Sequence, residues 1–190
     1  NESGRMTHVC EQIEIDWQYD NAVQAADNEL FVRTFVREIF RLYGLEVNFK
    51  AKPLIGLAGN GEHTHLSLAA ITKDGKRHSL FAADDQNAHY MNAVGYGALM
   101  GLLKNYEAIN PFVSATNDAF NRLKPGFEAP VCVVTSFGVS PAIPSRNRTV
   151  LVSLIRDLKN PLATRFELRA TNPYSNTYLV IAASYLAILD

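Results

Sequence analysis

Residues 52–68 read Lys52-Pro53-Leu54-Ile55-Gly56-Leu57-Ala58-Gly59-Asn60-Gly61-Glu62-His63-Thr64-His65-Leu66-Ser67-Leu68. The first ten are a loop: Pro53 fixes φ and removes a donor, and Gly56, Gly59 and Gly61 allow turns that side chains disfavour. From Glu62 the pattern changes to strict alternation. His63, His65 and Ser67 fall on one face, Thr64, Leu66 and Leu68 on the other, which is the period of a half-buried strand. The backbone amides of such a glycine loop can cradle an anion, although a loop of this kind alone is a weak signal.

Working outward, residues 8–19 also alternate, with Ile13, Ile15 and Trp17 opposite Glu14 and Asp16, and predict a strand with an acidic face. Thr164-Arg165-Phe166-Glu167-Leu168-Arg169 predicts another, with Arg165, Glu167 and Arg169 on one side. Shorter strands are expected at 45–50, 131–135 and 149–155. Helical spacing governs 27–43, where Phe31, Phe35, Ile39 and Leu42 form a stripe and Gly44 stands where a helix-ending glycine belongs. Further helices are predicted at 88–106, 114–123 and 176–189. Gly95, Gly97 and Gly101 in the first of these would permit close packing against a sheet.

The 190 residues are 47% hydrophobic and 19% charged with a formal net charge of −1. Those proportions exclude disorder and collagen, and no apolar run reaches the roughly 18 residues of a membrane span. Without a global basic field, neither nucleic acid nor an anionic membrane is an expected partner. Cys10 and Cys132 show no CxxC or framework spacing, so free thiols and a cytoplasmic location are expected. Nothing in the composition marks a domain boundary. The start at Asn1 and the stop at Asp190 inside an apolar stretch lead us to expect a piece of a longer protein.

Three strand faces carry chemistry: carboxylates at Glu14 and Asp16, imidazoles at His63 and His65, and the Arg165/Glu167/Arg169 triplet. Each alone is what a half-exposed strand looks like. Together they offer oxygen-rich ligation with one nitrogen, which suits Mg²⁺ or Mn²⁺ better than a closed zinc site. Arg122, Arg146, Arg148, Arg165 and Arg169 bring guanidinium forks that match phosphate and carboxylate oxygens, so the expected chemistry is phosphoryl transfer on a polyanionic substrate. No Walker-type GxxxxGK[ST] motif occurs.

The run from Lys52 to Leu68 resembles the glutamine synthetase signature KPxxGxxGSGMHxHxSL. Four further segments resemble the same family in order: Glu11-Gln-Ile-Glu-Ile-Asp16 with Ala26-Asp27-Asn28 after it, Asn121 through Pro130, Ser145-Arg-Asn-Arg148, and Arg165 through Leu179. The resemblance is to the type I branch and covers residues 8–190. It implies an α+β fold, a curved and largely antiparallel β-sheet backed by the 27–43 and 88–106 helices (the glutamine synthetase/guanido kinase-like catalytic domain). It also implies a partial domain, with the family's N-terminal β-grasp domain and C-terminal helices outside the chain.

Position by position, the resemblance makes Glu14, His63 and Glu167 metal ligands, with Glu2 a further carboxylate candidate. Gly59, Arg122 and Arg169 would bind glutamate, Arg148 and Arg165 would hold phosphate, and His65 and Ser67 would lie near the nucleotide. Glu128 and Arg148 would be catalytic, Glu128 taking a proton from ammonium. The implied reaction forms glutamine from glutamate, ATP and ammonia through a γ-glutamyl phosphate, with Mg²⁺ or Mn²⁺, in a homo-oligomeric ring, and the isolated piece should be inactive. Ala58, Glu62 and Ser153 depart from the family pattern, and Arg156 would be the residue to substitute for the arginine that Ser153 replaces. These departures keep two alternatives: a γ-glutamyl-amide or polyamine ligase of the same fold, and an inactive structural or regulatory homologue.

Overall fold

The computed structural model describes residues 10–123, 137–145, 147 and 149–190. The expectations for 131–135, Glu2, Glu128, Cys132, Arg146 and Arg148 lie outside these residues.

Helices begin at asparagines. Asn21, Asn92 and Asn176 each turn a side-chain oxygen onto a backbone N–H three residues ahead, starting α1 (Ala22–Leu42), α2 (Ala93–Lys104) and α5 (Thr177–Leu189). These caps correct two predicted boundaries: α1 starts ahead of Asp27, and α2 starts after Ala88. Gly44 follows α1 with φ +70°, as its position predicted. The helix expected at 114–123 shrinks to α4 (Ala119–Arg122), and a helix that the spacing did not predict, α3 (Tyr106–Val113), precedes it.

The central sheet is antiparallel, in the order β1 (Thr64–Leu66), β7 (Arg165–Leu168), β6 (Val152–Ile155). Glu167 lies opposite His65 on one side and Ser153 on the other. Two hairpins flank it, β2 (Ala69–Ile71) with β3 (Arg77–Ser79), and β4 (Gly138–Ser140) with β5 (Ile143–Pro144). The expected α+β class and antiparallel sheet are therefore present. The strands expected at 8–19 and 45–50 are not: residues 10–20 are exposed coil, and no ladder forms at 45–50. Alternation chooses a face, but a strand also needs a neighbour for its N–H and C=O groups, and the described residues supply none there.

One core joins sheet and helices. Phe81 stacks on Phe166 at 4.5 Å, and Leu99, Leu102, Leu168 and Val180 close around them. The sheet is backed by α2 and α5. Helix α1 instead meets α5 and buries only Ala26 and Glu29, while Phe31, Phe35, Ile39 and Leu42 are exposed. No helix among the described residues is long and apolar enough to cross a membrane.

Of the α2 glycines, Gly101 faces a helix rather than the expected sheet. A Cβ on Gly101 would stand 2.3 Å from the Ala187 carbonyl oxygen of α5, whereas Gly97 has open space around it. Gly101→Ala should therefore lower stability by about 1–3 kcal/mol through overpacking against backbone. Gly97→Ala should be neutral or slightly stabilising. Denaturant midpoints of the two variants check this, and equal midpoints would mean the α2–α5 contact is looser than it looks.

Candidate active site

The 62–68 run and β7 build the site between them. Pairing of β1 with β7 brings the histidine face of one strand against the Arg165/Glu167/Arg169 face of the other. His63 donates Nδ1–H to Glu167 Oε1 at 3.1 Å, and the Arg169 guanidinium pairs with the same carboxylate oxygen. Burial pushes the Glu167 carboxyl up, but the His63 hydrogen bond and the Arg169 charge prevail and hold it below the usual carboxylate range. Glu167 is an anion in a half-buried cleft.

Arg165 donates Nε–H to His65 Nδ1 at 2.8 Å and Nη1–H to the Ala163 carbonyl at 2.8 Å. Burial and then the Arg165 charge lower the His65 pKa, so the ring is neutral and keeps its proton on Nε2. His65 thus faces outward as a hydrogen-bond donor, not as a cation.

The glycine loop is held from beneath by Arg122. A Cβ on Gly59 would come within 2.3 Å of the Ala51 carbonyl oxygen and 2.8 Å of Arg122 Cγ, so only glycine fits. Arg122 Nη2 points at three successive carbonyls, those of Arg169, Ala170 and Thr171, at 3.2, 2.6 and 3.1 Å. Burial lowers its pKa to about 10, still fully charged at neutral pH. Arg122, expected to reach substrate, is here a clamp that ties α4 and the glycine loop to the end of β7.

Residues 10–20 reach the loop through Gln12, whose amide donates to the Gly59 carbonyl at 2.9 Å and to Asn60 Oδ1 at 2.8 Å. Glu14 is exposed two residues further on. Among the described residues no group of three or more His, Cys, Asp and Glu gathers to metal-binding size, so Glu14 is not joined to His63 and Glu167. His63 and Glu167 do fit a divalent cation as a partial set: an imidazole nitrogen just ahead of β1 and an ionised carboxylate oxygen on β7. Arg156, near the missing arginine at Ser153, is otherwise engaged. It donates to the Gln86 and Pro141 carbonyls and sits over the Tyr90 ring at 5.5 Å.

A groove of about 800 Å³ opens beside Ser67, walled by Trp17, Tyr19, Phe31, Ile71 and Arg77. Its aromatic walls suit a flat ring system. His63 stands at one end of β1 and Ser67 just past the other, and four extended residues cover roughly 13 Å, the scale on which a nucleoside triphosphate reaches from base to terminal phosphate. The sequence places Trp17 with Ile13 and Ile15 on one face of a strand; the signal for the groove was the Trp17 and Tyr19 pair just ahead of Asp20 and Asn21.

Behind His63 lies a second set of buried groups. Thr177 Oγ1 is 3.0 Å from Glu29 Oε2 and 3.2 Å from Glu62 Oε1, and Arg33 pairs with Glu29 at 2.9 Å. Burial and then the Glu29 charge push the Glu62 pKa up to about 8; burial raises Glu29 as well, against Arg33 and Thr177. One hydroxyl proton serves one carboxylate, so both contacts are met when Glu62 carries a proton and donates it to Thr177.

The glutamine synthetase catalytic-domain model matches residues 6–190. Glutamine synthetases of Clostridium saccharobutylicum and Methylococcus capsulatus are 35% and 37% identical to the chain, each over 94% of it. The chain spans 37% and 35% of those two relatives. The cryoEM structure of Plasmodium falciparum glutamine synthetase superposes with a TM-score of 0.76 at 27% identity, covering 91% of this chain and 31% of that one.

Proposed function

The chain belongs to the glutamine synthetase family through that family's catalytic domain, and on that premise we propose that the protein carrying it is an ATP-dependent ligase that joins ammonia to glutamate. The observation that carries this reading is the Glu167 cluster, an anionic carboxylate held by His63 and Arg169 at the ends of paired strands beside the glycine loop. A divalent cation bound by His63 and Glu167 would neutralise phosphate oxygens at the reaction centre, and Glu14 would serve a separate cation on the glutamate side.

The remaining roles belong to side chains. The base of ATP enters the Trp17/Tyr19 groove next to Ser67, and neutral His65 offers Nε2–H along the way. Arg165 and Arg148 draw the terminal phosphate toward the strands, where guanidinium charge offsets the negative charge of the transferring group. Glutamate lies over Gly59, with its carboxylates near Arg169 and the Arg122 clamp. Its side-chain carboxylate attacks the γ-phosphorus, ADP leaves, and the γ-glutamyl phosphate forms. Glu128 takes the proton from ammonium, and ammonia displaces phosphate to give glutamine. A homo-oligomeric ring and a cytoplasmic location complete the proposal.

Phosphate release by the full-length protein should require glutamate, ATP, Mg²⁺ or Mn²⁺ and ammonia together. Glu167→Ala should reduce it at least about a hundredfold, since even outer partners of a metal site are worth 10–100-fold. Release with an alkylamine or polyamine but not with ammonia would move the assignment to a γ-glutamyl-amide ligase. Absence of both Mn²⁺ and ATP-analogue binding would leave an inactive homologue.

A further inference from the structure

Glu62 precedes His63 in an alternating segment, so the two side chains leave opposite sides of the same backbone. His63 meets Glu167 in the candidate site, while Glu62 turns inward to Thr177 at the first turn of α5. Thr177 also reaches Glu29 of α1, which is 5% exposed and is held in turn by Arg33. The Glu62 N–H donates to the Thr171 carbonyl at 2.9 Å, in the same turn that Arg122 clamps. Glu62, Thr177 and Glu29 therefore connect the backbone at His63 to α1 and α5.

We propose that Glu62 is a positioning residue for His63, and that Thr177 and Glu29 brace it from behind, fixing the imidazole against Glu167. The inference rests on the metal reading of His63 and Glu167 given above. The position also departs from the family signature, which has methionine there; in this chain a methionine would leave Thr177 and Glu29 facing a thioether. Thr177 would still bond Glu29, which keeps Arg33, but the contact that ties the backbone at 62–63 to α5 would be lost, leaving His63 freer to move away from Glu167. Oε2 of Glu62 is buried without a partner among the described residues, which leaves the whole hold on Glu62 to the single oxygen bonded to Thr177.

Mn²⁺ binding to the full-length protein at fixed neutral pH, read by electron paramagnetic resonance of the free ion, tests this without relying on turnover. Glu62→Gln and Thr177→Ser keep the hydrogen bonds and should bind Mn²⁺ within about threefold of wild type. Glu62→Met should bind about tenfold more weakly, the lower end of what outer partners of metal ligands contribute, with an unchanged circular dichroism spectrum. Should Glu62→Met fail to fold, Thr177→Val, which keeps the shape and removes the hydroxyl, should show the same weakening. Mn²⁺ affinity that needs Glu167 but is unchanged in the folded Glu62→Met or Thr177→Val variant would overturn the positioning role alone. Wild-type binding indifferent to Glu167→Ala would overturn the metal reading and this inference with it.

Discussion

Arg122→Met should lower the stability of the protein by about 3 kcal/mol, rather than acting only on substrate affinity. The guanidinium faces the carbonyls of Arg169, Ala170 and Thr171 and lies beneath Gly59 and Gly61. Methionine fills similar volume but takes this donor from the Arg169 and Ala170 carbonyls, while Thr171 keeps the Glu62 N–H, and a buried acceptor so stranded costs on the order of 1–3 kcal/mol, non-additively. Arg122→Lys should recover part of the loss, because the three carbonyls meet a single nitrogen, Nη2, which an ammonium with three N–H groups can imitate. Denaturant unfolding of the full-length protein measures this. A loss below about 0.5 kcal/mol in Arg122→Met, accompanied by a raised KM for glutamate, would show that Arg122 is free to serve substrate instead.

The second large effect is one of pH. In chelator, wild-type stability relative to Glu62→Gln should fall by a few kcal/mol as pH rises from 5 to about 8. The sign follows from the direction of the shift. The Glu62 carboxyl titrates near 8 in the folded protein and near 4.5 when unfolded, so between those values the folded state holds a proton that the unfolded state has lost. Its stabilising contribution is complete below pH 4.5 and disappears as pH rises through 8. His65 acts oppositely, because its folded pKa is lowered; it does so in both proteins and cancels in the comparison. Parallel pH profiles for wild type and Glu62→Gln would mean that the Glu62 carboxyl is already ionised in the fold.

Those two groups show where reading the sequence reached and where it stopped. The strand face at Arg165, Glu167 and Arg169 was legible because alternation has a fixed period of two, and pairing with the 62–68 strand then joined His63 to Glu167. The boundaries of α1 and α2 were missed because one asparagine side chain at each N-terminus, not hydrophobic spacing, decides where the helix starts. Residues 10–20 have the pattern of a strand yet form none, since the hydrogen-bonding partner of a strand is not encoded in the strand itself. Likewise the Phe31, Phe35, Ile39 and Leu42 stripe marks a face of α1 without specifying what covers it, and only Ala26 and Glu29 become buried.

By itself, then, the sequence determined the local periods, the loop that only glycine can form, and the family signature that those residues spell out. The tertiary structure alone decided the use of each charged group. Arg122 became a clamp on carbonyls, Arg156 a tie to Gln86 and Pro141, and Arg165 the partner of His65. Glu29 and Glu62, 33 positions apart, came to share the hydroxyl of Thr177. The physical reason is range: hydrophobic period and turn chemistry act between near neighbours in the chain, whereas a buried charge is settled by whichever dipoles folding brings within about 3 Å.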